Sequence, residues 1–263
     1  MKIEGKRVLI TGGSSGIGFE IARLMADAGA RVAITGRRRD ALEAAAAKLG
    51  GSVLAIPGDV ADPAHRSQAI TQTQEALGGL DILVNNAGGV RAGRLEATSE
   101  DEIRQMIDVD LLAPILLTRE ALPLLRASGD ALIVNVSSSI ALVELPFYAT
   151  YAAAKAGLAH FGVSLRRELA GEGIAVLAVY PTATDTPMMQ TSGLAKDGGR
   201  ESAADVAAAV LEAIGSDALQ VVRGDKDRLA MVDLNKADPA AVDAALNQQK
   251  SVLEDAARDH SAL

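Results

Sequence analysis

The chain has 263 residues, 49% of them apolar, and a formal net charge of −8. That length and composition suffice for one large buried core, and the acidic balance argues against a nucleic-acid partner, whose phosphates need a basic face. With no cysteine and with His65, His160 and His260 scattered along the chain, there is neither a disulfide framework nor the ligand spacing of a metal centre, so no metal is expected. No apolar run reaches the ~20 residues that span a bilayer, and residues 1–5 lead straight into a strand without a secretory apolar region. A cytoplasmic location without a membrane partner is expected.

Short β-branched runs alternate with segments of helical period. Strands are expected over residues 7–11, 31–35, 53–56, 81–84, 132–136, 175–179 and 219–222, and their unbroken hydrophobicity implies a sheet covered on both faces. Residues 19–28 read as a helix with Ile21, Leu24 and Met25 in one stripe and Gly29 as its stop. Ser99 and Glu102 spell a capping box that opens a long helix toward Leu125. This alternation predicts an α/β fold: one doubly wound parallel sheet, Rossmann-like, of about seven strands with helices on both faces. Residues 1–263 are read as a single dinucleotide-binding domain. Within it, 182–200 form a substrate or lid loop, and 226–263 form an Ala-rich appendage, either a helix pair or an oligomer contact.

Thr11-Gly12-Gly13-Ser14-Ser15-Gly16-Ile17-Gly18 sits between the first strand and the first helix. Its glycines permit tight turns, and free amides at the positive end of the helix suit a pyrophosphate. The second strand ends in Thr35-Gly36-Arg37-Arg38-Arg39, where an acidic residue normally holds the adenosine 2′-hydroxyl. Guanidinium groups suit a 2′-phosphate instead, because they stay charged and bind it through paired hydrogen bonds. NADP(H) is therefore favoured, with NAD(H) as the alternative.

Farther along stand Asp59-Val60, Asn85-Asn86-Ala87-Gly88, Ser138, and Tyr151 with Lys155 in Tyr-Ala-Ala-Ala-Lys. With the glycine loop and all of these in order from about residue 6 to 189, the chain resembles the short-chain dehydrogenase/reductase family. The resemblance implies that Gly12, Ser14, Ser15, Ile17 and Gly18 lie at the pyrophosphate and Asp59 and Val60 at the adenine. Asn86, Ala87 and Gly88 would line the cofactor, and Pro181 and Thr186 would meet its nicotinamide end. Thr182 stands where the family usually has glycine, a departure at a close approach of backbone and cofactor. The resemblance also implies a homodimer or homotetramer built on the helices at 99–125 and 151–170.

A free tyrosine ionises near pH ~10 and needs a charged neighbour to act as a base at neutral pH. Side chains four apart on a helix lie about 6 Å from each other, and at an effective dielectric of ~20 the Lys155 charge is expected to favour the Tyr151 phenolate by ~2–3 kcal/mol. Tyr151 is thus the expected proton donor to a carbonyl oxygen, or acceptor from an alcohol, and Ser138 the group that orients that oxygen. Ser137 and Ser139 compete for the second role, and the thirteen-residue interval from Ser138 to Tyr151 favours Ser138. In the family Lys155 would also bond the nicotinamide ribose.

One departure bears on catalysis. The family's fourth catalytic residue is an asparagine, and this chain reads Asp108-Val109-Asp110-Leu111. Asp110 replaces an amide with a carboxylate that, when ionised, only accepts hydrogen bonds. An impaired or pH-shifted catalyst is expected, with a higher tyrosine pKa. On the substrate side, Glu144, Tyr148 and Met188 are candidate contacts for a small carbonyl or alcohol substrate. The leading reading is an NADP(H)-dependent ketone or aldehyde reductase. A 3-oxoacyl thioester reductase, or a catalytically impaired cofactor-binding regulatory protein, stand as alternatives.

Overall fold

The computed structural model describes residues 1–195 and 199–263, so residues 196–198 of the loop expected over 182–200 lie outside the described residues. Seven parallel strands form the central sheet: β1 (Arg7–Thr11), β2 (Arg31–Gly36), β3 (Leu54–Pro57), β4 (Ile82–Asn85), β6 (Ala131–Val136), β7 (Ile174–Tyr180) and β10 (Gln220–Val222). Their order is β3-β2-β1-β4-β6-β7-β10. The order reverses between β1 and β4, and a sheet of this kind opens a crevice at the carboxyl ends of its strands where it reverses.

Alternation along β1 explains why both faces are covered. Val8 and Ile10 join Ile21 and Met25 of α1 (Gly16–Asp27) and Val206 and Val210 of α7 (Ala203–Gly215) on one face. Leu9 joins Leu77 of α3 (Pro63–Leu77), Leu117 and Leu125 of α5 (Ala113–Ser128) and Leu165 of α6 (Ala149–Glu168) on the other. α2 (Arg39–Lys48) follows β2 and adds Leu42 to the first face.

The expected long helix after Ser99 is broken in two. The capping box forms and α4 runs Glu100–Ile107, but residues Asp108–Leu112 make a π-helical turn before α5 begins. Pro114 lacks the N–H that an α-helix would donate to the carbonyl four residues back, that of Asp110, so the ladder loosens there. The wide turn faces Asp110 inward, where it is fully buried.

The C-terminal residues form three helices rather than a pair, α8 (Lys226–Ala237), α9 (Pro239–Gln248) and α10 (Lys250–Ala257). A short strand β11 (Ser261–Ala262) then pairs antiparallel with β5 (Val90–Arg91), just beyond the Asn-Asn-Ala-Gly segment. A second small ribbon joins β8 (Thr184–Asp185) to β9 (Glu201–Ser202).

At the amino edge of the sheet, Asp81 accepts hydrogen bonds from the Arg7 backbone and side chain at 2.5–2.8 Å and from Ser128 at 2.6 Å. Burial opposes the Asp81 charge, yet Arg7 and Ser128 outweigh it and hold the carboxyl well below the usual carboxylate range. Among the described residues no helix is long and apolar enough to cross a membrane.

Candidate active site

The end of β1 is tied to the end of β4 by Thr11. Its hydroxyl oxygen accepts from the backbone N–H of Asn86 and of Ala87, both at 2.9 Å, while the Asn86 amide donates to the Thr11 carbonyl at 2.9 Å. The glycine loop departs from this knot. Gly12 and Gly16 have φ of 67° and 57°, a region that glycine enters without strain. Ser15 does not cap α1 with its side chain, which leaves the first helical amides available to an anion.

Gly18 lies behind the loop and not on the cleft surface. A Cβ there would sit 2.4 Å from the Asn86 amide nitrogen and 2.5 Å from the Gly12 carbonyl oxygen. Gly18→Ala is therefore expected to push the loop off the helix and destabilise the chain by about 1–3 kcal/mol, the usual cost of overpacking, seen as a lower Tm in thermal unfolding. An unchanged Tm with unchanged dinucleotide affinity would contradict this packing role.

A cleft of about 800 Å³ runs along the carboxyl edge and gathers most of the residues expected from the sequence. Gly12, Ser14, Ser15, Ile17, Arg37, Arg38, Asp59, Val60, Asn86, Ala87 and Gly88 line one part of it. Ser138, Tyr148, Tyr151, Lys155, Pro181, Thr186 and Met188 line the rest. Arg37 and Arg38 are exposed, and among the described residues neither makes an ion pair, whereas Arg39 faces Glu43 at 3.4 Å.

At the chemical end, Lys155 is buried and its ammonium lies 5.8 Å from the centre of the Tyr151 ring. It donates to the Val136 carbonyl at 3.2 Å and pairs with Asp110 Oδ1 at 3.0 Å. Asp110 also accepts from the Gly89 N–H at 3.2 and 3.3 Å. Gly88 leaves the room for this pair, since a Cβ there would stand 2.6 Å from Asp110 Oδ1 and 3.2 Å from the Lys155 nitrogen. Asp110 is not among the residues lining the cleft and meets Lys155 and the Gly89 N–H beneath it.

The expected depression of the Tyr151 pKa is corrected by this arrangement. Burial of the phenol is the largest influence and raises its pKa above the ordinary value; Lys155 and the Ser138 hydroxyl lower it, and Asp110 raises it further. The Lys155 charge is shared with a buried carboxylate, so it no longer acts on the phenol alone. Burial also works against the Lys155 charge, but Asp110 and Tyr151 outweigh it, and the ammonium pKa stands above its usual value.

All three serines line the cleft, with different partners. Ser137 donates to the Lys155 carbonyl at 2.8 Å, and Ser139 accepts from Arg228 at 3.4 Å. The Ser138 oxygen accepts from the Ile140 N–H at 3.3 Å, and its own proton faces the Tyr151 phenol, where a carbonyl oxygen could share it.

Glu144 is not brought to this site. It borders a separate depression with Ala149, Ala153, Asp243 and Lys250, between the start of α6 and α9. Tyr148 is a buried wall residue held by a contact that the sequence does not announce: its hydroxyl meets His260 Nδ1 at 2.9 Å. Because His260 Nε2 lies 3.0 Å from the Met188 carbonyl, Nε2 carries the proton and the phenol donates to Nδ1. His260, residues 261–263, Gln105, Val109 and Arg228 complete the cleft. Arg228 was missed in the sequence, although its place after the last strand is a usable signal, because loops at carboxyl ends line such crevices.

The chain is similar to known proteins in both sequence and fold. A family model described as short chain dehydrogenase matches residues 6–197. The chain is 34% identical over 226 residues to a ketoacyl reductase HetN of Nostoc sp., covering 84% of this chain and 79% of that protein. Among solved structures it is similar to a 3-ketoacyl-(acyl-carrier-protein) reductase of Brucella melitensis complexed with NADH, with a TM-score of 0.80 and 29% identity over 86% of this chain and 99% of the other. A short chain dehydrogenase of Burkholderia cenocepacia in complex with NADP gives a TM-score of 0.77 and 36% identity, covering 85% of this chain and 99% of the other.

Proposed function

The chain belongs to the short-chain dehydrogenase family, whose members are oxidoreductases that act on CH–OH groups with NAD(P), and from that premise we propose an NADP(H)-dependent reductase of ketones and aldehydes that also runs as an alcohol dehydrogenase. The observation that carries the proposal is the convergence of Ser138, Tyr151 and Lys155 on one cleft with the glycine loop. The residues fit a dinucleotide: Gly12 permits the turn, the first amides of α1 are free, and the cleft extends to Arg37 and Arg38.

When bound, the dinucleotide supplies the hydride in reduction and accepts it in oxidation. Ser138 donates its proton to the carbonyl oxygen and holds it in place. Tyr151 delivers the proton that converts that oxygen to a hydroxyl as the carbon gains the hydride, and it takes the proton back in the reverse direction. Lys155 keeps positive charge beside the phenol, and Asp110 fixes the lysine and raises the proton affinity of the site. A raised phenol pKa favours the protonated form, which is the form that reduction requires.

The test is the decrease in absorbance at 340 nm with NADPH or NADH against a panel of ketones, aldehydes and acetoacetyl-coenzyme A. Turnover of simple carbonyl compounds is expected. Turnover of the thioester alone would favour the 3-oxoacyl reading, which the names of two relatives support. Cofactor choice has its own readout. Replacing Arg37 and Arg38 together by glutamate is expected to raise KM for NADPH by about 10–100-fold through loss of charge-assisted phosphate bonds, with KM for NADH changing far less. Equal changes for both cofactors would remove the 2′-phosphate assignment.

A further inference from the structure

The guanidinium of Arg228 is a charged feature of the cleft that the chemistry above leaves unused. Arg228 stands in the first turn of α8, half-buried, and lines the cleft. Its Nη2 donates to the Ser139 carbonyl at 3.0 Å, to the Ser139 hydroxyl at 3.4 Å and to the Val143 carbonyl at 2.9 Å. Among the described residues, Nε and Nη1 make no protein hydrogen bond and the side chain has no ion pair. Neighbouring arginines differ: Arg223 pairs with Glu201, Arg91 with Glu102 and Arg94 with Glu254. Burial lowers the Arg228 pKa, while Glu144 and Asp225, both beyond ion-pair range, raise it. The group stays charged at neutral pH all the same.

The unused donors of this half-buried cation open to the cleft, where a bound anion can take up charge-assisted hydrogen bonds from them. Apolar side chains of Ile140, Leu145, Met188 and Leu194 also line the cavity. Arg228 also grips the turn that begins at Ser138, so an anion held by it and an oxygen held by Ser138 sit on one rigid segment. We propose that Arg228 is the anchor for a carboxylate on the substrate, which makes the substrate class an oxo acid with an apolar body in reduction and the matching hydroxy acid in oxidation. The proposal rests on the reductase reading for the position of the reacting oxygen. The planar fork of arginine binds a carboxylate through two parallel hydrogen bonds, a fit that lysine reproduces only as a point charge.

The experiment compares 3-oxohexanoate, 4-oxopentanoate and 5-oxohexanoate with their methyl esters. Binding to protein saturated with NADP⁺ is measured by calorimetry, a state in which an oxo acid cannot be turned over. At least one acid is expected to bind about tenfold or more tighter than its ester, and Arg228→Gln is expected to erase that preference while changing ester affinity less than about twofold. Arg228→Lys should fall between them. Equal binding of every acid and ester by the parent, no binding of any acid, or equal weakening of acid and ester by Arg228→Gln would overturn the anchor, the last marking Arg228 as a staple for the 139–143 turn. Reduction of the same compounds with NADPH is followed separately. An acid that binds through Arg228 but is never reduced leaves the anchor standing and removes the reductase reading.

Discussion

Tyr151→Phe is expected to lower kcat in both directions by about 10²–10⁴-fold, the range that a positioned proton donor contributes, with dinucleotide affinity nearly unchanged. Phenylalanine keeps the ring against Lys155 and removes only the ionisable oxygen. Initial rates at 340 nm, with dinucleotide binding measured in parallel, check this. A variant that kept more than half of the parent kcat would exclude Tyr151 as the acid. The pH profile of the parent carries a second signature. Because burial, reinforced by Asp110, holds the phenol pKa above its ordinary value, the protonated form persists through neutral pH and reduction stays level there, declining only on the alkaline side. Oxidation needs the deprotonated form and rises with pH into that same range. Asp110→Asn removes one of the raising influences, so both limbs should move to lower pH. Profiles that coincide with the parent would show that the carboxylate has no hold on the phenol.

Lys155→Met carries the second large effect, and it is one of stability as well as rate. Asp110 is fully buried, and in this variant only the Gly89 amide would remain to it. Breaking one side of a buried ion pair costs about 3–5 kcal/mol, because the remaining charge has neither water nor a partner. The cost depends on pH with a definite sign. Burial already raises the Asp110 carboxyl pKa against the opposing pull of Lys155 and the Gly89 N–H, and without Lys155 only the Gly89 N–H opposes it, so the folded-state pKa rises further above the unfolded value. The variant is then penalised while the carboxyl must ionise in the unfolded state, and it recovers stability as pH falls toward the carboxylate range. The double change Lys155→Met with Asp110→Asn should restore much of the lost stability and none of the activity. Urea unfolding of the four proteins at pH 5 and pH 8 gives the coupling directly. Additive losses would mean that the 3.0 Å contact does not hold the two side chains together.

The seven strands were legible to within about a residue, because parallel strands buried on both faces write their hydrophobicity without a period. Gly12 and Gly16 were legible for a different reason: positions of positive φ leave a residue type behind. Tyr151 and Lys155 share one helix, so their spacing alone placed them together. Contacts between distant segments were not legible. Asp110 and Lys155 meet across two helices, and nothing in either local sequence marks the partner; the family resemblance alone placed Asp110 at the site, and the π-helical turn that carries it was not expected. The Coulomb estimate for Lys155 alone gave the wrong net direction for Tyr151 because it omits desolvation, the largest influence, whereas the raising effect of Asp110 was expected from the carboxylate at that position. Glu144 was assigned to the cleft by its place between Ser138 and Tyr151, yet the chain turns at Phe147, φ 71°, and Glu144 faces α9. His260 lies 112 residues from Tyr148, and no periodicity reaches that far.

The network of Arg7, Asp81 and Ser128 occupies the rim of the sheet remote from the cleft. Its strength is retained until strong acid protonates Asp81, and none of its members borders the chemical groups. Substitutions that retune selectivity at the loops therefore act on a body whose cohesion is secured elsewhere, and the two sets of changes should combine without interference. Laboratory evolution of new specificity can draw on that separation by fortifying one rim before the other is rewritten.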